Sequence, residues 1–115
     1  MTAGFIDPLL VDPTRLSILS LLSTARWAEF AFVRDTVGLS DSALSKQVTK
    51  LIDCHYVKVR RGYVGKRGRT WINLAPAGRT ALESHVGTLQ EIINQAREAG
   101  EQAQEADEAQ ASDAD

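Results

Sequence analysis

Hydrophobic spacing changes period twice along this chain, and that double switch confines the folds open to it. Up to Cys54 the apolar residues recur at three- and four-residue steps, from Val57 to Leu74 they alternate, and after Pro76 the helical step returns. Such a pattern dictates helices, then a β-hairpin, then a helix. The 115 residues suit one domain with a single core.

The first helix reads from Asp12-Pro13, with Asp12 as N-cap and proline at the first helical position, where its missing N–H costs nothing. Leu16, Ile18, Leu19, Leu21 and Leu22 make it apolar on most sides, so it should be largely buried. A connection over 23–29 leads to a second helix, about Phe30 to Val37, with Phe30, Val33 and Val37 on one face. Gly38 stops it, Leu39 plugs the core, and Ser40 or Asp41 caps a third helix running to about Cys54. There Leu44, Val48, Leu51 and Ile52 share a face, while Ser42, Ser45, Lys46, Thr49 and Lys50 lie elsewhere. Two short helices joined by a glycine-containing turn, the second presenting small polar and basic residues, form the helix-turn-helix pattern.

Two strands follow, in which Val57 and Val59 alternate with Lys58 and Arg60, and Ile72 and Leu74 with Trp71 and Asn73. The segment 62–69 between them reads as a loop longer than an ordinary hairpin turn, freed by three glycines and basic at its tip. A last helix over 76–97 would be about 33 Å long. Its stripe of Leu82, His85, Val86, Leu89, Ile92, Ile93 and Ala96 exceeds what a small body can cover. A second copy covers it most economically, because a twofold interface uses one patch twice. Leu82, Val86, Leu89, Ile92 and Ile93 are therefore the expected dimerisation residues. Residues 1–97 form the expected domain, and 98–115, without a large apolar side chain, an acidic tail that is disordered or frayed.

The whole-chain charge of −2 conceals two opposite parts. Residues 1–97 hold all 13 Lys and Arg against eight carboxylates, a net +5, whereas 98–115 hold seven carboxylates and no base. Between Lys46 and Arg69 eight bases stand against Asp53 alone, a local +7 of the kind a polyanion would meet. No apolar run is long enough to span a membrane and the N-terminus lacks the pattern of a secretory signal, so the expected location is cytoplasmic with no membrane partner. One cysteine permits no intrachain disulfide.

With these elements in order, the chain resembles the compact winged-helix DNA-binding regulators related to the MarR and ArsR groups. The resemblance rests on Arg15-Leu16-Ser17-Ile18-Leu19, Val37-Gly38-Leu39-Ser40 with Leu44-Ser45-Lys46 and Leu51, Arg60-Arg61-Gly62-Tyr63-Val64-Gly65-Lys66-Arg67, and Leu74-Ala75-Pro76-Ala77-Gly78-Arg79. Together they cover about residues 13 to 95. It implies a mainly α (α+β) winged helix-turn-helix with a two-stranded β wing and a long C-terminal dimerisation helix. It also implies that the third helix enters the major groove and the wing tip touches flanking backbone or minor groove. Two positions depart from the pattern: His55 stands where such proteins usually have glycine, and Gly68 where proline is common, which should leave the wing tip more mobile. The chain also lacks a counterpart of the long helix that larger MarR proteins carry ahead of residue 13, so no ligand pocket of their kind is implied.

The expected function is therefore sequence-specific binding of double-stranded DNA by a homodimer on an inverted repeat, as a transcriptional regulator and most simply a repressor. Ser42, Ser45, Lys46 and Thr49 are the residues expected to reach bases or phosphates, with Lys50 beside them and Gln47 as a candidate reader of adenine. Lys66, Arg67 and Arg69 are assigned to phosphates or a narrow minor groove. Arg61 is a wing contact; Lys58 and Arg60 read equally as backbone contacts or solvated strand residues. Tyr63 props the wing or stacks on sugar. Trp27 and Trp71 read as core, or else as walls of a small-molecule pocket at the dimer interface. Cys54, His55 and His85 make a metal site only if the fold or dimer unites them, so no metal and no cofactor is expected. No residue set for catalysis is present, and nothing in the pattern names a small-molecule effector. A competing reading is a winged helix that docks a protein partner instead of specific DNA. In another, the acidic tail competes with DNA for the wing's bases.

Overall fold

A computed structural model describes residues 6–113. Helix α1 spans Pro13–Leu22, α2 Phe30–Val37, α3 Asp41–Asp53 and α4 Pro76–Asp113; strands β1, β2 and β3 span Ala28–Glu29, Val57–Val64 and Arg67–Leu74. The order β1-β3-β2 makes an antiparallel sheet of three strands. The third, β1, lies in the stretch that reads as a plain connection. At two residues it is too short to carry a period, and only its pairing of Ala28 with Ile72 and Glu29 with Trp71 reveals it.

The helix starts follow their caps. The Asp12 side chain accepts from the Thr14 N–H, and the Ser40 side chain from the Ala43 N–H. Gly38 ends α2 in the left-handed region at φ 81°, which glycine enters without strain. The core joins Leu10, Ile18, Leu19, Leu22, Val33, Leu44, Val48, Leu51, Val57, Ile72 and Leu74, closed from one end by Ala81 and Leu82 of α4. Ile52 does not take the core position its spacing suggests; it is exposed.

His55 follows the α3 C-cap and has φ 64°. Its N–H donates to Ile52 O and the Tyr56 N–H to Leu51 O, the paired bonds of a Schellman end. A side chain other than glycine is strained there by about 1 kcal/mol. His55→Gly should therefore raise stability by about that amount in urea unfolding; a loss would show that the exposed imidazole contributes more than its backbone costs.

Two differences from the sequence reading concern the wing and the tail. The ladder continues past Gly62 and Arg69 to Val64 and Arg67, leaving a turn of only Gly65 and Lys66. Gly65 has φ 64°, the conformation a two-residue turn with glycine first requires. The wing is thus strand almost to its tip, and Gly68, paired with Tyr63, is held in the ladder rather than loose. Helix α4 in turn does not stop near Arg97 but runs without a break to Asp113. Its Ala, Glu and Gln residues are strong helix formers, and at about 57 Å the helix stands out of the body and gives the molecule an 82 Å long axis. No described helix is long and apolar enough to cross a membrane.

A buried polar network ties the start of the described chain to the fold. The Asp7 N–H donates to His85 Nδ1 at 3.1 Å, the Asp7 carboxylate accepts from the Leu9 N–H at 2.9 Å, and the Tyr56 hydroxyl donates to the same carboxylate. Burial first, then the bond to Asp7 and its charge, push the Tyr56 hydroxyl up to about 12. The folded state thus favours protonated Tyr56, which stabilises fully below the ordinary value of 10.0 and is lost as pH rises through about 12. Tyr56→Phe should flatten the fall of stability across that window, measured by urea unfolding at stepped pH.

Candidate nucleic-acid interface

The turn between α2 and α3 is clamped by Arg34, whose guanidinium meets Asp35 at 2.8 Å and Asp41 at 2.7 Å. The hydrogen bond to Arg34 holds the Asp35 carboxyl below its usual range. On the other side Arg15 donates to Leu9 O at 2.6 Å, pairs with Asp12 at 3.2 Å and donates to Gln47 Oε1 at 3.2 Å. These bonds fix how far α3 stands proud of the body. They also hold the Gln47 amide oxygen toward α1.

Ser42, Ser45, Lys46, Thr49 and Lys50 are all exposed on α3. The Thr49 hydroxyl donates back to Ser45 O at 2.9 Å and so presents its acceptor side outward. Ser42 Oγ lies 3.4 Å from the capping Ser40 Oγ. Across from this row runs a groove of about 520 Å³ whose walls are α3 and the sheet, lined by Ser45, Thr49, Ile52, Arg61 and Thr70 over a floor of Phe30, Val48 and Val59. Thr70 carries no pattern in the sequence. It reaches the groove only because the ladder pairs it with Arg61 on the face that also buries Val59 and Ile72.

Strand alternation divides the basic cluster between two faces. Arg61 shares the inner face with Val57 and Val59 and so meets α3. Lys58 and Arg60 take the outer face, and the Arg69 guanidinium there is engaged by Glu29. Lys66 sits in the exposed two-residue turn, with Arg67 beside it at the end of the ladder. Of the four expected wing contacts, Arg61 faces α3, Lys66 and Arg67 occupy the tip, and Arg69 is tied to β1.

The expected pairing residues also divide. Leu82 is only 7% exposed and belongs to the protomer's own core. His85 and Thr88 continue the same helix face and are buried too. Beyond Thr88 the stripe leaves the body, and Leu89, Ile92 and Ile93 are 38%, 51% and 49% exposed, with Val86 open at its edge. Cys54, His55 and His85 do not converge: the Cys54 thiol donates to Leu51 O at 3.4 Å, and His85 accepts from Asp7. Burial pushes the Cys54 thiol up, which favours its protonated form. The carboxylates from Glu98 to Glu108 are exposed along α4, and among the described residues no ion pair joins them to a wing base.

Residues 14–93 match the model of a winged helix DNA-binding domain family. An uncharacterized protein of Methanocaldococcus jannaschii is 28% identical over 72 residues, which are 63% of this chain and 78% of the relative. Among solved structures, a transcriptional regulator homologue from Pyrococcus horikoshii superposes with a TM-score of 0.69 at 23% identity, covering 75% of this chain and 85% of that one. A mutant of ZitR from Lactococcus lactis, solved in complex with DNA, superposes with a TM-score of 0.54 at 21% identity, covering 77% of this chain and 60% of that one. At these identities the structural likeness establishes the fold.

Proposed function

Because the chain belongs to the winged helix DNA-binding domain family, we propose that it is a transcriptional regulator that binds double-stranded DNA sequence-specifically as a homodimer on an inverted repeat. The observation that carries this reading is the exposed row of Ser42, Ser45, Lys46 and Thr49 on α3, bordered across a groove by Arg61 and Thr70. Such a row can enter a major groove while the wing holds the flanking backbone. Ser and Thr hydroxyls bond several base edges, and Lys46 suits guanine acceptors or a phosphate. The DNA complex of ZitR supports the same use of a related fold. Repression by occupancy of the bound site is the proposed mode.

Pairing through α4 follows from where its stripe leaves the body. Leu89, Ile92 and Ile93 continue a face that the protomer buries only as far as Thr88. A second copy presents the same open patch, so each covers the other. Two recognition helices in one such dimer meet half-sites about one helical turn, roughly 10 bp, apart.

Selection of bound duplexes from a genomic library tests the reading. An inverted repeat with that spacing is expected, and replacing Ser45 and Lys46 by Ala should erase discrimination between it and random DNA. Recovery of sequences with no shared motif would reject sequence-specific regulation and favour a winged helix that docks a protein instead. The two wing faces give a finer prediction. Arg61→Ala should lower the salt slope of binding by about one, whereas Lys58→Ala on the outer face should leave it unchanged; equal effects would place both faces against the duplex.

A further inference from the structure

Both tryptophans of the chain lie outside the hydrophobic core, although a domain of this size ordinarily spends its largest apolar side chains there. Cross-strand register sets Trp71 on the outer face of the wing sheet, opposite the face turned to α3, as the direct partner of Arg60 on one side and of Glu29 on the other. Trp27 joins it there: it is 37% exposed, and the Arg60 guanidinium lies 5.9 Å from its ring centroid. Trp27, Arg60 and Trp71 enclose an open niche of about 180 Å³. Gly62, next but one to Arg60 on this face, leaves the Trp71 ring room to lie against the strand, since a Cβ there would come within 3.1 Å of it.

The rest of this face is basic. Lys58 and Arg60 project from β2, and Arg67 and Arg69 from β3, against Glu29 of β1. Glu29 is engaged by Arg69, and among the described residues no carboxylate pairs with Lys58, Arg60 or Arg67. Free cations attract the phosphates of any nucleic acid, whereas an indole face adds affinity only where a base ring is open to stacking. In a duplex each base is covered by its neighbours above and below, so the niche offers it nothing. An unpaired base fits, because a cavity of roughly 150 Å³ houses a benzene ring and the niche has that order of volume. Aromatic rings set among Lys and Arg on the solvent face of a sheet hold single strands by stacking bases and neutralising their backbone.

We propose that the outer face of the wing sheet binds single-stranded nucleic acid, with one unpaired base stacked in the Trp27–Arg60–Trp71 niche and the flanking phosphates on Lys58 and Arg60. The surface stands on the opposite face of the sheet from the α3 groove, and it holds whether or not the proposed duplex function does.

The chain has two tryptophans and both line the niche, so tryptophan fluorescence reports stacking there directly. The full chain is titrated with a twelve-nucleotide oligothymidylate, with oligouridylate of the same length, with a strand of that length lacking bases, and with the oligothymidylate annealed to its complement. The base-bearing single strands should quench saturably, the tighter of the two identifying the preferred sugar, and the abasic strand and the duplex should quench far less. In anisotropy titrations of dye-labelled oligothymidylate, Trp27→Ala should weaken binding by at least about 5-fold, and Lys58→Ala should lower the salt slope by about 0.7. Both side chains are exposed, so each variant should keep the wild-type circular dichroism spectrum and duplex affinity. Absence of saturable quenching by either single strand, equal quenching by the abasic strand or the duplex, or undiminished single-strand binding in Trp27→Ala or Lys58→Ala would each overturn the proposal.

Discussion

Replacing Ile92 and Ile93 together by Glu is expected to leave the protomer folded, to make it monomeric at micromolar concentration, and to weaken operator binding by at least about 100-fold. Both side chains are half exposed in the protomer, so no core contact is lost. In a twofold pair the substitution removes four apolar side chains and sets four carboxylates into the seam. Each half-buried Ile or Leu contributes about 1 kcal/mol on full burial, and burying an unpaired carboxylate costs several times that. Light scattering reads the mass and a gel-shift titration the affinity. Monomeric wild-type protein would sink the pairing proposal. A variant that stays dimeric would move the interface off the 89–93 patch. A monomeric variant with unchanged affinity would show that one wing-and-helix unit suffices for binding.

The largest stability effect is expected at Gly78. It lies in the first turn of α4, where the helix crosses the start of the sheet, and the Ala75 N–H already donates to Tyr56 O at 2.9 Å. A Cβ at Gly78 would collide with that same Tyr56 carbonyl oxygen and lie 2.9 Å from Leu74 Cδ1. Backbone on one side and a core leucine on the other leave no flexible end to move aside. Gly78→Ala should therefore cost about 3 kcal/mol, a fall in melting temperature of roughly 15 °C for a domain of this size. Gly87 is the matched control. It sits in the same helix with nothing within 4 Å of its would-be Cβ, so Gly87→Ala should raise stability by about 1 kcal/mol. Thermal unfolding followed by circular dichroism separates the two signs. Equal changes at both positions would show that helix propensity, not the Tyr56 contact, governs Gly78.

Much of the fold is legible because its signals are local. Asp12-Pro13 and Ser40 announce helix starts through side-chain acceptors placed beside orphan N–H groups. Gly38 announces a stop because only its backbone enters the left-handed region cheaply. The switch to alternation at Val57 marks the hairpin, since a strand turns successive side chains to opposite faces. The exposed row from Ser42 to Lys50 follows from the same helical period that buries Leu44, Val48 and Leu51. The tail's helix is not legible from its polarity for an energetic reason: apolar content decides whether a segment packs, whereas Ala, Glu and Gln decide whether it is helical, and residues 98–113 are poor in the first and rich in the second.

What the sequence determined by itself, then, is the order of the four helices and the two wing strands, the caps, the concentration of positive charge between Lys46 and Arg69, and the apolar stripe of α4. Each depends on a residue and its near neighbours. Tertiary structure alone decided the rest. Cross-strand register sent Arg61 and Thr70 toward α3 and Arg60 and Arg69 to the far face, which no charge count distinguishes. Long-range partners tied the Gln47 amide oxygen to Arg15 and set Leu82 in the protomer's own core, and packing left both tryptophans outside the core. Those outcomes depend on groups distant in sequence competing for one bond or one volume, and such competition is resolved only when the chain is folded.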